Sequence, residues 1–110
     1  MTRIAVLQMT TGIDPAANAR TIVAAIGAAA SGGASMMFTP EMSGLLDRDR
    51  ARGSRHIVPE EANPVLAAAR EAAAGAGIWV ALGSLAVERA DGRWANRSFA
   101  IDPTGAIAAR

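Results

Sequence analysis

The stretch GIWVALGSLAVERADGRWANRSFAID, residues 77–102, decides the fold. Two runs rich in apolar, β-branched and aromatic residues flank the segment Ala90–Arg93, which reads Ala-Asp-Gly-Arg. An Asp-Gly pair between two such runs is typical of a β-hairpin turn. The stretch therefore predicts two consecutive antiparallel strands, the first with an interruption near Gly83.

The segments that follow this hairpin extend it into a β-meander. Residues 102–105, Asp-Pro-Thr-Gly, form a turn signal, and the apolar residues 106–110 predict a further strand. A flavodoxin-like binding domain would alternate strands and helices strictly, so these consecutive strands count against it.

The first half of the chain predicts a β-α-β unit. Residues 3–9, RIAVLQM, are a short apolar strand, and residues 35–38 are a second one. Between them, Asp14 can cap a helix, Pro15 fits its first position, and the glycines at 32–33 can end it. The crossover is long enough for parallel pairing. The residues predicted to face the sheet are Ile22, Val23, Ile26 and Ala30.

A polar, arginine-rich segment at residues 44–63 separates this unit from the hairpin and predicts a long loop with a short helical turn. Asn63 and Pro64 then start a second helix through about Ala74, which Gly75 and Gly77 end. The whole pattern predicts an α/β fold, and the length of 110 residues suits a single domain or a piece of a larger one.

The composition excludes several classes of protein. The formal net charge of +1 gives no electrostatic reason to expect a nucleic-acid partner. The N-terminal apolar run is too short for a membrane span or a signal peptide, so we expect no membrane partner and a cytoplasmic location. Every basic residue is arginine, and cysteine is absent as well as lysine. Disulfides, zinc-thiolate sites and a cysteine nucleophile are therefore excluded within these residues.

Glu41 is the candidate catalytic residue. It follows the second strand in FTPEMSG, residues 38–44, and sites in open α/β sheets are built where strands end. We expect Phe38 and Met42 to desolvate its carboxylate partly, which would raise its pKa toward the range of a general base. The alternative is that Glu41 begins a helix after Pro40 and is stabilised by the helix dipole.

The remaining polar residues suggest no second site. His56, the only histidine, lies in the loop and is expected to be solvated. The arginines of the loop could bind an anion, but their alternation with aspartates predicts a self-neutralising surface; these are Arg48, Arg50, Arg52 and Arg55, with Asp47 and Asp49. Ser84 and Ser98 have no base nearby in sequence. We predict no cofactor and no metal ion, because neither a dinucleotide loop nor a metal-ligand pattern is present. Trp79 and Trp94 are expected to pack in the core or on the sheet.

Four segments together resemble the nitrilase, or carbon–nitrogen hydrolase, superfamily. They occur in the family's order and cover nearly the whole chain: RIAVLQM at 3–9, FTPEMSG at 38–44, GIWVALGSLAVE at 77–88 and DGRWANRSFAIDPTGAIAAR at 91–110. The last two segments are most similar to the branch of deaminated-glutathione amidases and omega-amidases.

The resemblance implies the N-terminal portion of an α-β-β-α sandwich and a Glu-Lys-Cys triad in which Glu41 matches the general base. In that chemistry the base activates the cysteine thiol, and the thiolate attacks an amide carbon. Ammonia leaves, and a water activated by the same glutamate hydrolyses the thioester, while the lysine stabilises the oxyanion. The expected substrate is a small omega-amide, and a homo-oligomer is expected for the full-length form. Asn96, Arg97 and Ser98 match a family strand and are expected to be structural.

The sequence departs from the family because it contains neither the lysine nor the cysteine. We therefore expect residues 1–110 to be the N-terminal part of a single carbon–nitrogen hydrolase domain that stops before those segments. By itself such a chain should be inactive, and poorly soluble or partly molten. The alternatives are a non-catalytic fragment or interaction module derived from such an enzyme, an N-carbamoyl-amino-acid hydrolase, and a nitrilase proper.

Overall fold

The computed structural model describes all 110 residues, which form one five-stranded sheet with helices on one face. The strands follow the sheet order β1-β2-β3-β4-β5: β1 Ile4–Val6, β2 Met36–Phe38, β3 Trp79–Glu88, β4 Trp94–Ile101 and β5 Ile107–Ala109. The helices are α1 Pro15–Ser31, α2 Arg50–Ser54 and α3 Pro64–Ala76, with a 3-10 turn at Glu60–Ala62. The first three strands are parallel and the last two pairings are antiparallel, so both the β-α-β unit and the meander are confirmed.

Helix α1 begins where its capping residues predict. The Asp14 carboxylate accepts a hydrogen bond from the Ala16 N–H at 3.0 Å, and Pro15 occupies the first helical position. The predicted apolar stripe is wrong at Val23, which is 39% exposed. The stripe is confirmed at Ile22 and Ile26, and Asn18 and Ala29 are buried beside them. They recur at helical spacing, whereas Val23 lies about 100° around the helix from Ile22.

Helix α3 is defined at both ends by the residues that the sequence indicates, with one correction. The Asn63 carboxamide oxygen accepts hydrogen bonds from the N–H groups of Val65 and Leu66, both at 3.0 Å. The helix ends at Gly77, whose φ of 69° is the left-handed conformation that favours glycine. Gly75 lies inside the helix and does not end it. None of the helices is long and apolar enough to cross a membrane.

The two faces of the sheet differ sharply in burial. Helices α1 and α3 cover one face, where Met37, Val80 and Ile101 are at most 1% exposed. The other face carries two rows of apolar side chains in register across the parallel strands: Ile4, Met36 and Trp79, and then Val6, Phe38 and Ala81. Of the two places predicted for Trp79, the core or the sheet, the structure shows the sheet: Trp79 lies in β3 and is 39% exposed on this uncovered face.

Candidate active site

Glu41 lies in a tight turn directly after the end of β2. No helix begins there, because α2 starts only at Arg50, so the helix-start alternative for Glu41 is wrong. The next residue, Met42, has a φ of 51°, which is uncommon for a residue other than glycine. Two hydrogen bonds to β3 hold the turn: the Met42 N–H donates to the Ser84 hydroxyl at 2.8 Å, and the Ser43 N–H donates to the Ser84 carbonyl at 3.2 Å. The turn that contains Glu41 is thus hydrogen-bonded to the neighbouring strand, β3.

The Glu41 turn packs against a bulge in β3. The pairing of β3 with β4 shifts between Leu82 and Leu85, which confirms the interruption predicted near Gly83. The Gly83 N–H donates to the Thr39 hydroxyl at 3.0 Å. A Cβ at Gly83 would lie 2.5 Å from the carbonyl carbon and oxygen of Pro40, so only glycine permits this approach.

The carboxylate of Glu41 is exposed, and the predicted partial desolvation by Phe38 and Met42 is wrong for these residues. Both apolar side chains are half-buried. Phe38 lies on the uncovered sheet face, in the row with Val6. Glu41 also forms no salt bridge with any of the arginines. The turn therefore fixes the backbone position of Glu41, and the side chain stays exposed to solvent.

Asn18, which no sequence motif marks, connects this region to α1. Its side chain is buried, donates to the carbonyls of Gly12 at 2.9 Å and Gly44 at 3.0 Å, and accepts from the Gly12 N–H at 3.0 Å. One side chain thereby joins the segment after β1 to the segment after β2. The available signal is a polar residue one turn ahead of Ile22 on an otherwise apolar helix face.

A cleft of about 640 Å³ lies beside the Glu41 turn, between residues 42–57 and the far end of the β3–β4 hairpin. Met42 lines it, whereas Glu41 does not. The Arg50 guanidinium lies 4.8 Å from the ring centroid of Trp94 in its wall. Trp94 is 40% exposed, so of its two predicted places, the core or the sheet, it occupies the sheet, in β4. The apolar lining also includes Leu45, Leu46, Ile57, Ala86 and Ala95.

The loop arginines neutralise the aspartates only in part. Arg52 donates two hydrogen bonds to Asp47, at 2.6 and 2.7 Å, and these bonds lower the pKa of the Asp47 carboxyl to about 2. Asp49 caps α2 by accepting from the Arg52 N–H. Arg48 and Arg50 form no ion pair, although both line the cleft. The predicted self-neutralising surface is therefore confirmed for the Arg52–Asp47 pair, whereas Arg48, Arg50 and Arg55 are exposed and form no ion pair.

Two residues of the strand that matches the family pattern have structural contacts. Arg97 donates to Glu60 at 2.9 Å, and Arg110 donates to the same carboxylate at 2.6 and 2.8 Å. Hydrogen bonds from Arg110 and then Arg97 lower the pKa of Glu60. The Ser98 hydroxyl donates to the Gly83 carbonyl at 2.6 Å and so braces the bulge. Asn96 instead lines the cleft.

His56 takes no part in the Glu41 turn. It is half-buried rather than solvated, and its backbone N–H donates to the Gly53 carbonyl at 3.0 Å. No three acidic or histidine side chains lie close enough together to hold a metal ion.

The sequence as a whole matches the carbon-nitrogen hydrolase family model over residues 3–110. The chain belongs to the carbon-nitrogen hydrolase family. Comparison with curated proteins gives no match.

Solved structures show the same fold for this family member. The NitN amidase from Nesterenkonia sp. AN1 aligns with a TM-score of 0.83 at 24% identity, over 99% of this chain and 42% of the amidase. A mutant of that amidase, described as from the nitrilase superfamily, aligns with a TM-score of 0.82 at 25% identity over 98% of this chain and 41% of its own. The C. elegans NitFhit protein aligns with a TM-score of 0.83 at 24% identity, over 96% of this chain and 26% of its own length. The chain thus spans about two fifths of the amidase's length, as expected for the N-terminal portion of a nitrilase fold.

Proposed function

We propose that Glu41 is the general base of an amidase whose lysine and cysteine lie outside residues 1–110. The observation that carries this proposal is the turn around Glu41. Hydrogen bonds from Met42 and Ser43 to Ser84 hold its backbone on β3, while the carboxylate itself stays exposed. A base needs a backbone that is held in place and access to the group that it deprotonates, and this arrangement provides both.

The proposed reaction requires a thiol that these residues do not contain. Glu41 takes the proton of a cysteine thiol, and the thiolate attacks the amide carbon while a lysine stabilises the oxyanion. The C–N bond breaks, the proton leaves with ammonia, and a thioester remains. Glu41 then deprotonates a water that attacks the thioester, which releases the acid and restores the thiol.

The structural neighbours support a reactive cysteine and the binding of a small amide, as this reaction requires. A glutamate-to-glutamine mutant of the Nesterenkonia amidase shows Michael addition of acrylamide at the active site cysteine. Another mutant of that amidase is in complex with butyramide. For this chain we propose a small omega-amide such as deaminated glutathione as the substrate, because its last two sequence segments resemble the omega-amidase branch. An N-carbamoyl-amino-acid hydrolase is the alternative enzyme, and we propose a cytoplasmic homo-oligomer for the full-length form.

One observation favours a second, non-catalytic function. The sheet face that carries Ile4, Val6 and Trp79 is apolar and uncovered, with these side chains 56%, 75% and 39% exposed. Contiguous apolar surface on a soluble protein marks an interaction site or an aggregation risk. The chain could therefore act as an interaction module that binds a homologous protein through this face.

The first experiment is to read the coding DNA beyond residue 110 and to measure the intact mass of the natural protein. A frame with a later lysine and cysteine supports the amidase. Ammonia release from an omega-amide should then fall about 10²- to 10⁴-fold in Glu41→Gln. Glu61→Gln is the matched control, because Glu61 is exposed on the 3-10 turn. A frame that stops at residue 110, or full turnover in Glu41→Gln, would overturn the proposal.

A further inference from the structure

We propose that the cleft beside the Glu41 turn binds a small carboxylate with a short apolar body, and that Arg48 and Arg50 contact the carboxylate. This inference deepens the proposed function and rests on it for the ligand's identity: the bound carboxylate would be the acid end of the amide substrate. The chemical class is then an amide that carries a free carboxylate some carbons away from the amide group.

The charge of the cleft favours an anion. Arg48 and Arg50 line it without an ion pair. Asp47 is the one acidic residue in the lining, and its side chain is only 2% exposed because Arg52 holds it with two hydrogen bonds. Asp49, which lies between Arg48 and Arg50 in sequence, caps α2 and is not among the lining residues. The anionic ligand would therefore meet two guanidinium groups that have no ion pair. Arginine is well suited to this task because its planar fork matches a carboxylate.

Arg50 is held in position before any ligand arrives. Its guanidinium lies over the Trp94 ring at 4.8 Å from the centroid, a cation–π distance. Stacking on the ring face leaves the N–H edges of the guanidinium free to donate. Less side-chain freedom is then lost when the carboxylate binds.

The rest of the cleft suits an apolar body. Seven of its thirteen lining residues are hydrophobic, among them Leu45, Ile57 and Ala86. The volume of about 640 Å³ is typical of small-molecule sites. Met42, which follows Glu41 directly, also lines the cleft, so one end of a bound ligand would lie beside the turn that carries the proposed base. A ligand with an acid at one end and an amide at the other fits this layout.

The test is isothermal titration calorimetry with glutaramate, the monoamide of glutaric acid, as the probe. The natural protein that contains these residues is titrated in the Glu41→Gln background, so that the probe is not hydrolysed during the titration, and each substitution below is made in that background. We expect Arg50→Gln to weaken binding about tenfold or more, because a charge-assisted hydrogen bond is lost. Arg50→Lys should bind with intermediate affinity, since the charge stays and the fork is lost. Arg20→Gln is the matched control: Arg20 is exposed on α1 and forms no ion pair. Circular dichroism verifies that each variant is folded.

Two further probes separate the sources of affinity. The neutral diamide glutaramide should bind at least tenfold more weakly than glutaramate, and raised salt should weaken glutaramate binding. Inorganic phosphate should also bind more weakly, since it has no apolar body for the cleft. Equal affinity for glutaramide, phosphate equal to or tighter than glutaramate, or no effect of Arg50→Gln, would overturn the inference.

The Glu41→Gln variant separates this inference from the proposed function. It should still bind glutaramate through Arg50, because Glu41 does not line the cleft, while it loses turnover. Turnover that depends on Glu41, together with unchanged glutaramate binding in Arg50→Gln, would overturn the inference alone. Arg50-dependent binding in a protein whose turnover survives Glu41→Gln would support the site and overturn the proposed function.

Discussion

Replacing Gly83 with alanine should destabilise the protein through a purely steric conflict. Gly83 is not among the residues with a positive φ, so its backbone conformation is open to alanine. The added Cβ would nevertheless lie 2.5 Å from the Pro40 carbonyl carbon and oxygen and 2.6 Å from the Thr39 oxygen. Backbone atoms cannot rotate away as a flexible side chain would, so β3 and the Glu41 turn must separate.

The size of the effect follows from what this separation breaks. The atoms must move apart by roughly 1 Å to reach a favourable carbon–carbon distance. Overpacking of that kind costs ~1–3 kcal/mol. The movement also strains two hydrogen bonds between the segments, Gly83 N–H to Thr39 Oγ1 and Thr39 N–H to Ala81 O, both at 3.0 Å. Each is worth ~1 kcal/mol, and if the strain costs about half of each bond, Gly83→Ala should lower the free energy of unfolding by ~2–4 kcal/mol.

The assay is urea unfolding of the natural protein that contains these residues and of two variants of it, followed by tryptophan fluorescence. Gly75→Ala is the matched control, because Gly75 lies inside α3 and a Cβ added there would have no other atom within 4 Å. Alanine is the better helix former, so this variant should gain ~0.5–1 kcal/mol. A Gly83→Ala variant whose free energy of unfolding stays within about 0.5 kcal/mol of the wild type would refute the close approach of the turn to the bulge.

Three further changes test other parts of the structure. Arg52 lowers the pKa of the Asp47 carboxyl from an ordinary 3.8 to about 2. The Asp47–Arg52 pair therefore stabilises the fold above pH 3.8, and this stabilisation is lost as the pH falls toward 2. Asp47→Asn should make the free energy of unfolding depend less on pH across that window, and an unchanged slope would contradict the pairing. Asn18→Ala should cost ~2–3 kcal/mol in urea unfolding, because buried backbone groups lose their partners, and a cost below ~0.5 kcal/mol would argue against the connection. Val6→Thr should reduce self-association in light scattering more than Val23→Thr, since only Val6 lies on the uncovered sheet face, and equal effects would count against association through that face.

The elements that the sequence predicts well are those defined by local chemistry. Asp14 and Asn63 begin their helices because each side chain accepts from N–H groups two or three residues ahead. The Asp-Gly turn after β3 likewise depends on neighbours in sequence. Such signals need no knowledge of the rest of the fold, so the predictions that rest on them are confirmed.

The errors concern which surfaces become covered. Val23 and Trp79 are apolar, which predicts packing, but burial depends on which neighbour faces them. Trp94 provides the surface on which Arg50 stacks, a contact between residues 44 positions apart. The role of Asn18 is hidden in the sequence because its partners lie in two separate loops that only the folded sheet brings together. Non-local partners of this kind leave little trace in one sequence.

The candidate site likewise has a part that the sequence predicts and a part that depends on non-local contacts. That a carboxylate after β2 lies at the end of the strand follows from strand order, and the choice of Glu41 as the catalytic residue stays a prediction from the family resemblance. What holds it there, the Ser84 hydroxyl and the Gly83 bulge, comes from a strand some 42 residues later. These residues hold the backbone around Glu41 and leave the side chain exposed, and none of these contacts can be read from the segment FTPEMSG alone.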